Sequence, residues 1–598
     1  MTCCFILSAR LGSAGKLLSN CKSRHSSHLS QAFERRVART RSSRTVVTAM
    51  SSNGKRVIVW FRNDLRLHDN YSLQKAAQLV KSGSASEVVP LYCFDPRHFI
   101  KTPWGNPKTG QYRAQFLLES VLDLKQSLRN IGSDLIVHLG MPEDAIAGLL
   151  GEGSTPVITQ SETTSEEVAV DAKVKRAIGN KGNLQLEWGS TLYYLDDLPF
   201  SGDMQDLPES FTAAKGKVEA RCSVREPVPA PAKGSLPLPE GLDKAKWDHA
   251  PQSVQDLQSI CAEDYPKLSA PQLPSQAALP FKGGEHEALR RLKHYTWDTG
   301  AVSSYFDTRN GMLGADYSTK FSPWLAHGCL SPRTIHHDIK RYEGQHGSNK
   351  STYWVTFELT WRDYFKWFSI KHGNQMFHEG GVVNKRVNWN PDPSILQRWR
   401  DGQTGLPLVD ANMREIAATG FMSNRGRQNV ASYLVLDCGV DWRQGADYFE
   451  SILTDYDVCS NWGNWISAAG LTGGRINKFN ISKQSRDYDE GGDYVRTWCP
   501  ELAKVPNSHV HEPYKMSNDQ QQQAGCIINQ DYPAPIPNSS MMPPFVHGDR
   551  GGRGDRGGRG GQRGGGRRGG SRGGRSNRGG RGGGGGGGKQ HRDIPVGY

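Results

Sequence analysis

The chain has 598 residues, enough for about three to four domains of ordinary size, and its formal net charge of +14 is concentrated at its two ends. Residues 1–50 carry +8 and residues 549–598 carry +10, so the body between them sums to −4, which excludes a uniformly basic DNA-coating protein. No run approaches the roughly 18 apolar residues that cross a bilayer, and the 11 cysteines form no C-x-x-C pair, which argues against a membrane-spanning protein, a zinc module and a disulfide-based secreted scaffold.

The first segment, residues 1–48, is rich in Arg and Ser and contains Glu34 as its only acid. It lacks the continuous apolar region of a secretory signal. This composition predicts an organellar transit peptide, directed to the chloroplast, the mitochondrion or both. A basic arm that stays attached to the protein is the alternative.

Residues 54–199 alternate short β-rich runs with stretches of helical spacing. The predicted strands are Arg56–Phe61, Val88–Phe94, Asp134–Leu139 and Pro156–Gln160, and a helix is predicted over Tyr112–Asn130. Continuous apolar strands that alternate with helices indicate an α/β domain with a doubly wound parallel sheet. No G-x-G-x-x-G follows the first strand, so the dinucleotide-binding fingerprint is absent.

The second half is predicted to be helical. Residues 200–284 are rich in proline, with EPVPAPAKGSLPLPEG at 226–241, and are predicted to be an interdomain linker. Residues 285–515 are predicted to form an all-helical domain, and residues 516–548 a second linker. Eleven of the 15 tryptophans fall between Trp297 and Trp498. Any one of these tryptophans is explained as a residue that fills the hydrophobic core. The concentration of so many tryptophans in one region is not explained in this way.

Residues 549–598 hold 24 of the 67 glycines and 12 arginines, many of them in RGG steps. Such a segment cannot bury enough apolar surface to fold, so a disordered tail is predicted. Spaced arginines on a flexible backbone bind single-stranded nucleic acid through charge and stacking. A purely solubilising tail is the alternative.

Several polar residues within 285–515 can be interpreted either as ligand-binding groups or as groups that stabilise the fold. The hydroxyls of Ser318, Thr319 and Ser322, at a turn into a helix, either bind a diphosphate or cap the helix. Arg427 and Asp455 are interpreted as a buried ion pair, because an unpaired carboxylate is costly among apolar residues.

Several motifs carry a family resemblance. They are Trp60–Asn70 (WFRNDLRLHDN), Tyr305–Arg333 (YFDTRNGMLGADYSTKFSPWLAHGCLSPR), Phe357–Phe365 (FELTWRDYF), Met422–Tyr433 (MSNRGRQNVASY) and Leu453–Gly470 (LTDYDVCSNWGNWISAAG). In this order they resemble the cryptochrome/photolyase family, and Phe479–Gln484 (FNISKQ) with the TRNGMLGADYSTKFSPWLA run most resembles its DASH branch. The resemblance spans residues 55–515 and implies an antenna-type α/β domain followed by an FAD-binding helical domain.

The resemblance implies FAD as cofactor and assigns residues to it. The implied FAD-binding residues are Tyr305, Ser318, Thr319, Ser322, Glu358, Arg362, Asn424, Arg427, Asp455, Asp457 and Asn461, with Asn424 facing the flavin N5. It also implies an electron-transfer chain of Trp389, Trp442 and Trp465, whose indole rings are oxidisable relays. Without the resemblance these three would be core tryptophans.

The same resemblance implies Glu358, Trp361 and Asn424 as catalytic residues. Glu358 and Trp361 are three apart and therefore share one helix face. In photolyases the corresponding residues hydrogen-bond and stack on a pyrimidine dimer flipped from the strand, which is easiest from single-stranded or damaged nucleic acid. Two positions depart from the family pattern: Ser467 stands where a second stacking aromatic is expected, and His327 interrupts the expected LALGCLSPR wording.

The N-terminal domain of this family holds a light-harvesting antenna, which in the DASH branch is 5,10-methenyltetrahydrofolate. Glu166 and Glu167, within Ser161–Glu167 (SETTSEE), are the implied antenna contacts. Acids in the first turn of a helix are also explained by the helix dipole alone.

The resemblance therefore implies a monomeric, blue-light-dependent FAD enzyme that repairs cyclobutane pyrimidine dimers in single-stranded DNA. RNA is a further candidate partner, through residues 549–598. A different class stays open: a blue-light photoreceptor or RNA-binding regulator without repair activity. A third reading, a flavoprotein with degenerate chemistry, rests on Ser467.

Overall fold

The computed structural model describes residues 56–474 and 476–537. Its strands β1 (Arg56–Phe61), β2 (Glu87–Phe94), β3 (Ile136–Leu139), β4 (Thr155–Gln160) and β5 (Gly182–Glu187) form one parallel sheet in the order β3-β2-β1-β4-β5. The predicted doubly wound parallel sheet is confirmed. The predicted transit peptide and tail lie outside the described residues.

Strand β5 differs from the other strands and was not predicted from the sequence. Its sequence, GNLQLE, contains no fully buried residue, and it pairs only with β4 at the sheet edge. In contrast, Val57, Ile58 and Val59 of β1 are completely buried. A half-exposed edge strand lacks the continuous apolar run that identifies a central parallel strand.

Further helices belong to the N-terminal part and the predicted linker; several of them flank the sheet, whereas the helix that begins at Phe211 packs on the helical part. They are α1 (Tyr71–Lys81), α2 (Gln111–Asn130), α3 (Pro142–Gly148), α4 (Ser165–Ile178), α5 (Phe211–Arg221) and α6 (Lys244–Trp247). The order of the strands reverses between β1 and β4, which both contribute their carboxyl ends to one crevice. Open parallel sheets bind ligands at such a reversal point.

The C-terminal part is helical, as predicted. Its helices are α7 (Glu285–Lys293), α8 (Tyr305–Thr308), α9 (Ser322–Ala326), α10 (Pro332–His346), α11 (Lys350–His372), α12 (Pro393–Arg400), α13 (Pro407–Thr419), α14 (Asn424–Ser432), α15 (Trp442–Ile452), α16 (Val458–Ala468), α17 (Ile481–Tyr488), α18 (Asp493–Trp498) and α19 (Asn518–Ala524). None of the helices within the described ranges combines the length and apolar character needed to span a membrane.

Helix α11 is the centre of this part. All of its residues from Val355 to Ile370 are buried, and a helix buried on every side lies within a core. Helix α16 packs directly against it: a Cβ atom on Gly463 would lie 2.2 Å from Cδ1 of Phe365. This glycine allows the close approach that brings the polar residues of the two helices together.

The chain beyond residue 515 packs on the helical domain. Tyr532 is buried, and its hydroxyl donates to Oδ2 of Asp410 at 2.5 Å. A Cβ atom on Gly405 would lie 2.4 Å from the backbone of Ala534. Residues 526–536 are therefore held against the turn that precedes α13.

Candidate functional site

A buried ion pair joins α14 to the segment before α16. Helix α14 starts after Ser423, whose side chain accepts from the backbone N–H of Gly426. Arg427 Nη2 donates to Asp455 Oδ1 at 3.0 Å and to Oδ2 at 2.9 Å, and its Nε donates to the Met422 carbonyl at 3.0 Å. Both side chains are buried. The predicted Arg427–Asp455 pair is confirmed.

The predicted diphosphate-binding turn contains a buried cation that the sequence reading missed. Arg291 donates to the carbonyls of Ser318 and Thr319 at 3.0 Å, which fixes the turn on α7. The next residue, Lys320, is completely buried, and its ammonium has no hydrogen-bond acceptor within the described residues. Burial lowers the pKa of Lys320 well below its usual value. A nearby anion would satisfy this group.

Glu358 is held by two donors. Its side chain is 1% exposed, Arg309 Nη1 donates to its Oε1 at 2.9 Å, and Trp354 Nε1 donates to the same oxygen at 3.2 Å. Arg309 lies inside the motif that starts at Tyr305, but its sequence position does not reveal this partner. A charged hydrogen bond of this kind fixes the carboxylate on α11, one turn before Trp361.

Trp361 and Ser467 line one cavity of about 260 Å³, although they come from α11 and α16. Four other lining residues are aromatic, Phe211, Tyr364, Phe365 and Phe368, and the rest are polar residues or glycines: Glu209, Ser210, Thr472, Gly473 and Gly474. The indole N–H of Trp361 has no acceptor among the residues that the structure describes. The cavity therefore has aromatic walls on the side of α11 and a hydroxyl on the side of α16.

The remaining predicted FAD residues occupy several environments. Tyr305 is buried at the start of α8, Ser322 begins α9, and Asn424 begins α14. Asn461 Nδ2 donates to the Ala446 carbonyl at 3.0 Å, which ties α16 to α15. Asp457 caps α16 by accepting from the Ser460 N–H at 2.7 Å.

A second cavity, of about 440 Å³, opens where β1 and β4 end. Glu166, Glu167, Arg362 and Asp457 all line it, so two residues predicted for FAD share a cavity with the two predicted for the antenna. Burial raises the pKa of Glu167, whereas Glu166 is exposed and pairs with Lys108.

The three predicted relay tryptophans come from different segments: Trp389 precedes α12, Trp442 begins α15 and Trp465 lies on α16. Trp442 and Trp465 are buried and Trp389 is half-buried. The Trp465 ring lies 6.1 Å from Trp399, and Trp442 lies 5.7 Å from Trp462. A Cβ atom on Gly445 would lie 2.3 Å from the Trp465 ring, so this glycine lets the indole rest directly on α15.

His327, the second departure from the family pattern, is a core residue. Burial lowers its pKa to about 4, and its Nε2 lies 3.1 Å from the Thr454 carbonyl. The imidazole is therefore neutral and serves as a packing and hydrogen-bonding group.

The protein joins a parallel α/β domain to a helical domain, and the helical domain contains a buried lysine and a polar site around α11, α14 and α16. This architecture defines a photolyase-type fold. Family descriptions agree: "DNA photolyase" matches residues 57–232, and "FAD binding domain of DNA photolyase" matches residues 354–542. The chain belongs to the cryptochrome/photolyase family, in its DASH branch, and the resemblance found in the sequence is confirmed.

Individual relatives are similar over most of their length. Cryptochrome DASH, chloroplastic/mitochondrial, from Ostreococcus tauri is 50% identical over 77% of this chain and 86% of its own. Cryptochrome DASH from Danio rerio is 49% identical over 81% and 91%. The crystal structure of a Synechocystis sp. PCC6803 cryptochrome, 44% identical, superimposes with a TM-score of 0.74 over 81% of this chain and 96% of its own.

Proposed function

We propose that this protein is a blue-light-dependent photolyase that splits cyclobutane pyrimidine dimers in single-stranded DNA. The observation that carries the proposal is the 260 Å³ cavity, which Trp361 lines together with Tyr364, Phe365 and Phe368 and which therefore offers aromatic surfaces for stacking. A flipped base stacks on aromatic walls and hydrogen-bonds through its edge.

The helical domain fits FAD. The side chain of Lys320, with Ser318, Thr319 and Ser322, would hold the diphosphate. Without such a ligand, the amino group of Lys320 has no hydrogen-bond acceptor within the described residues. Tyr305, Asn424, Asn461 and the Arg427–Asp455 pair would surround the flavin, and Arg362 and Asp457 would reach it from α11 and α16. When bound, FAD supplies light-driven one-electron chemistry.

The protein's own groups then bind and orient the dimer. Trp361 stacks on one base, and Glu358, oriented by Arg309, accepts a hydrogen bond from a pyrimidine N–H. The aromatic walls exclude water from the site. Trp465, Trp442 and Trp389 are proposed to restore the reduced cofactor from solvent.

We also propose that the 440 Å³ cavity holds the antenna, 5,10-methenyltetrahydrofolate. Its volume falls in the range of about 300–1,000 Å³ that is typical of cofactor sites, and it lies at the reversal of the strand order. Glu166 or Glu167 would bind the pterin donors. Residues 1–48 are proposed to direct the protein to an organelle, and residues 549–598 to bind RNA or single-stranded DNA.

The decisive experiment is dimer repair by the purified protein under blue light. Single-stranded DNA, duplex DNA and RNA, each with one dimer, are compared with dark controls. Light-dependent repair of the single strand, retained after deletion of residues 549–598, is expected. Absence of repair on all three substrates in a protein that carries reduced FAD would instead support a photoreceptor.

The variant Lys320→Met is expected to weaken FAD binding about tenfold or more, since a charged hydrogen bond contributes about 1.5–3 kcal/mol. The apoprotein should become more stable, because a buried amine without a hydrogen-bond acceptor among the described residues is replaced with an apolar side chain. Equilibrium dialysis of FAD and denaturant unfolding of the apoprotein measure the two effects. Lys293→Met, at an exposed position on α7, is the matched control; unchanged FAD affinity in Lys320→Met would remove the lysine from the cofactor site.

The variant Glu358→Gln is expected to repair dimers about tenfold more slowly or worse, because the amide loses the charged acceptor. Repaired oligonucleotide per absorbed photon, at equal flavin loading, is the measurement. Glu287→Gln, on the surface of α7, keeps wild-type repair. A wild-type rate in Glu358→Gln would end its assignment to the lesion.

A further inference from the structure

Phe211, the first residue of α5, lies face to face with Trp361. The ring centroids are 3.6 Å apart and the planes differ by 12°. Aromatic pairs prefer offset or edge-to-face arrangements at about 4.5–7 Å, because directly overlapping π-faces repel. The attraction between these two rings therefore does not explain their position, and the surroundings of Phe211 must hold it there.

Two further rings surround Phe211. Phe357 meets it edge-on at 5.3 Å and 88°, and Tyr364 meets it edge-on at 5.7 Å and 76°. Both belong to α11, the helix that carries Trp361. The ring of Phe211 thus fits into a slot on α11 whose third wall is the indole.

The turn before Phe211 is tied to the same helix. The Tyr364 hydroxyl donates to the carbonyls of Pro208 at 3.2 Å and Glu209 at 2.7 Å, and Lys371 Nζ donates to the Leu207 carbonyl at 2.6 Å. Glu209 pairs with Lys371 at 2.5 Å and with His372 at 3.2 Å. These contacts hold α5 at one position along α11.

Phe211 covers one face of the Trp361 indole, and both rings line the cavity. Ser467, on the other helix of the cavity, contributes a hydroxyl where the family pattern has a second ring. Stacking in this cavity therefore depends strongly on the orientation of a single indole.

We infer that Phe211 is a positioning residue for base recognition: it covers one face of Trp361 and fixes the indole plane, so that only the opposite face of Trp361 remains for stacking with a base. The inference rests on the proposed function, because it assigns the cavity to a flipped base. In this role Phe211 acts through Trp361.

A double-mutant cycle on the full-length, FAD-loaded protein tests this. Binding of a labelled single-stranded oligonucleotide, with and without one thymine dimer, is measured for F211L, W361A and the double variant. F211L is expected to bind the dimer about fivefold more weakly or worse, since base stacking on an aromatic side chain contributes about 1–3 kcal/mol, with unchanged affinity for undamaged DNA. In the W361A background, F211L is expected to add nothing.

Two control variants distinguish a specific effect on Trp361 from a general effect on folding. F211Y retains the ring and is expected to keep the wild-type ratio of dimer to undamaged affinity. F200L removes a buried ring that contacts a different tryptophan, Trp367 at 6.4 Å, and is expected to leave that ratio unchanged in both backgrounds.

Each other outcome overturns the inference. Equal losses from F211L with and without Trp361 would show a purely structural role. Tighter dimer binding by F211L would show that Phe211 occupies the place of the base, and unchanged binding by F211L beside a weakened W361A would show that the indole needs no support. Unchanged dimer binding by W361A would reject the proposed base site together with the role of Phe211.

Discussion

Replacing Trp465 with phenylalanine is expected to slow the light-driven reduction of bound FAD about tenfold or more, while FAD remains bound. An indole is an oxidisable relay, whereas a phenyl ring is far harder to oxidise. Phenylalanine keeps an aromatic ring against Phe449, whose centroid lies 5.1 Å from the Trp465 ring. The variant therefore removes the electron donor with a limited change in packing.

The rate is measured from the loss of oxidised-flavin absorbance under blue light with an external reductant. Trp399→Phe is the matched control, because Trp399 is equally buried, contacts Trp465 at 6.1 Å and lies outside the predicted chain. It is expected to keep the wild-type rate. A normal rate in Trp465→Phe would reject the proposed relay. If Trp465→Phe and Trp399→Phe both lose the reaction while Trp442→Phe keeps the normal rate, the electron path would run through Trp399 and not through Trp442.

Much of the fold could be predicted because its central elements have one-sided or continuous apolar patterns. The four buried strands and the helix over Gln111–Asn130 follow directly from such patterns. Helix α5 was not predicted, although Phe211, Ala214 and Val218 are its buried residues and recur at helical spacing. The many prolines in residues 200–284 favour a linker over a helix, so the spacing of these three residues does not stand out in the sequence.

The site was predictable only in part, because sequence spacing does not show which charges meet. Arg427 and Asp455 were paired correctly since an unpaired carboxylate among apolar residues is costly. The Arg309–Glu358 pair joins residues 49 positions apart, and nothing in either motif identifies the partner. The burial of Lys320 depends on the packing of α7 against its turn, which local sequence does not reveal.

A large loss of stability is expected for Asp455→Asn. This variant leaves the buried guanidinium of Arg427 without a counter-charge, and breaking a buried pair on one side costs about 3–5 kcal/mol of unfolding free energy. The Arg427 Nε would keep its bond to the Met422 carbonyl, so the side chain stays in place and the charge stays buried. FAD content is also expected to fall, if the pair borders the flavin as proposed.

The double variant Arg427→Met with Asp455→Leu separates these two effects, because it removes both charges and replaces them with apolar groups. Replacing a whole buried pair in this way is often neutral for stability, so the denaturant midpoint should return towards that of the native protein. FAD content should remain low, since the groups beside the flavin are still absent. Recovery of FAD binding together with stability would show that the pair only supports the core, and failure of both to recover would show that the pair is needed to specify the packing of α14 against α16.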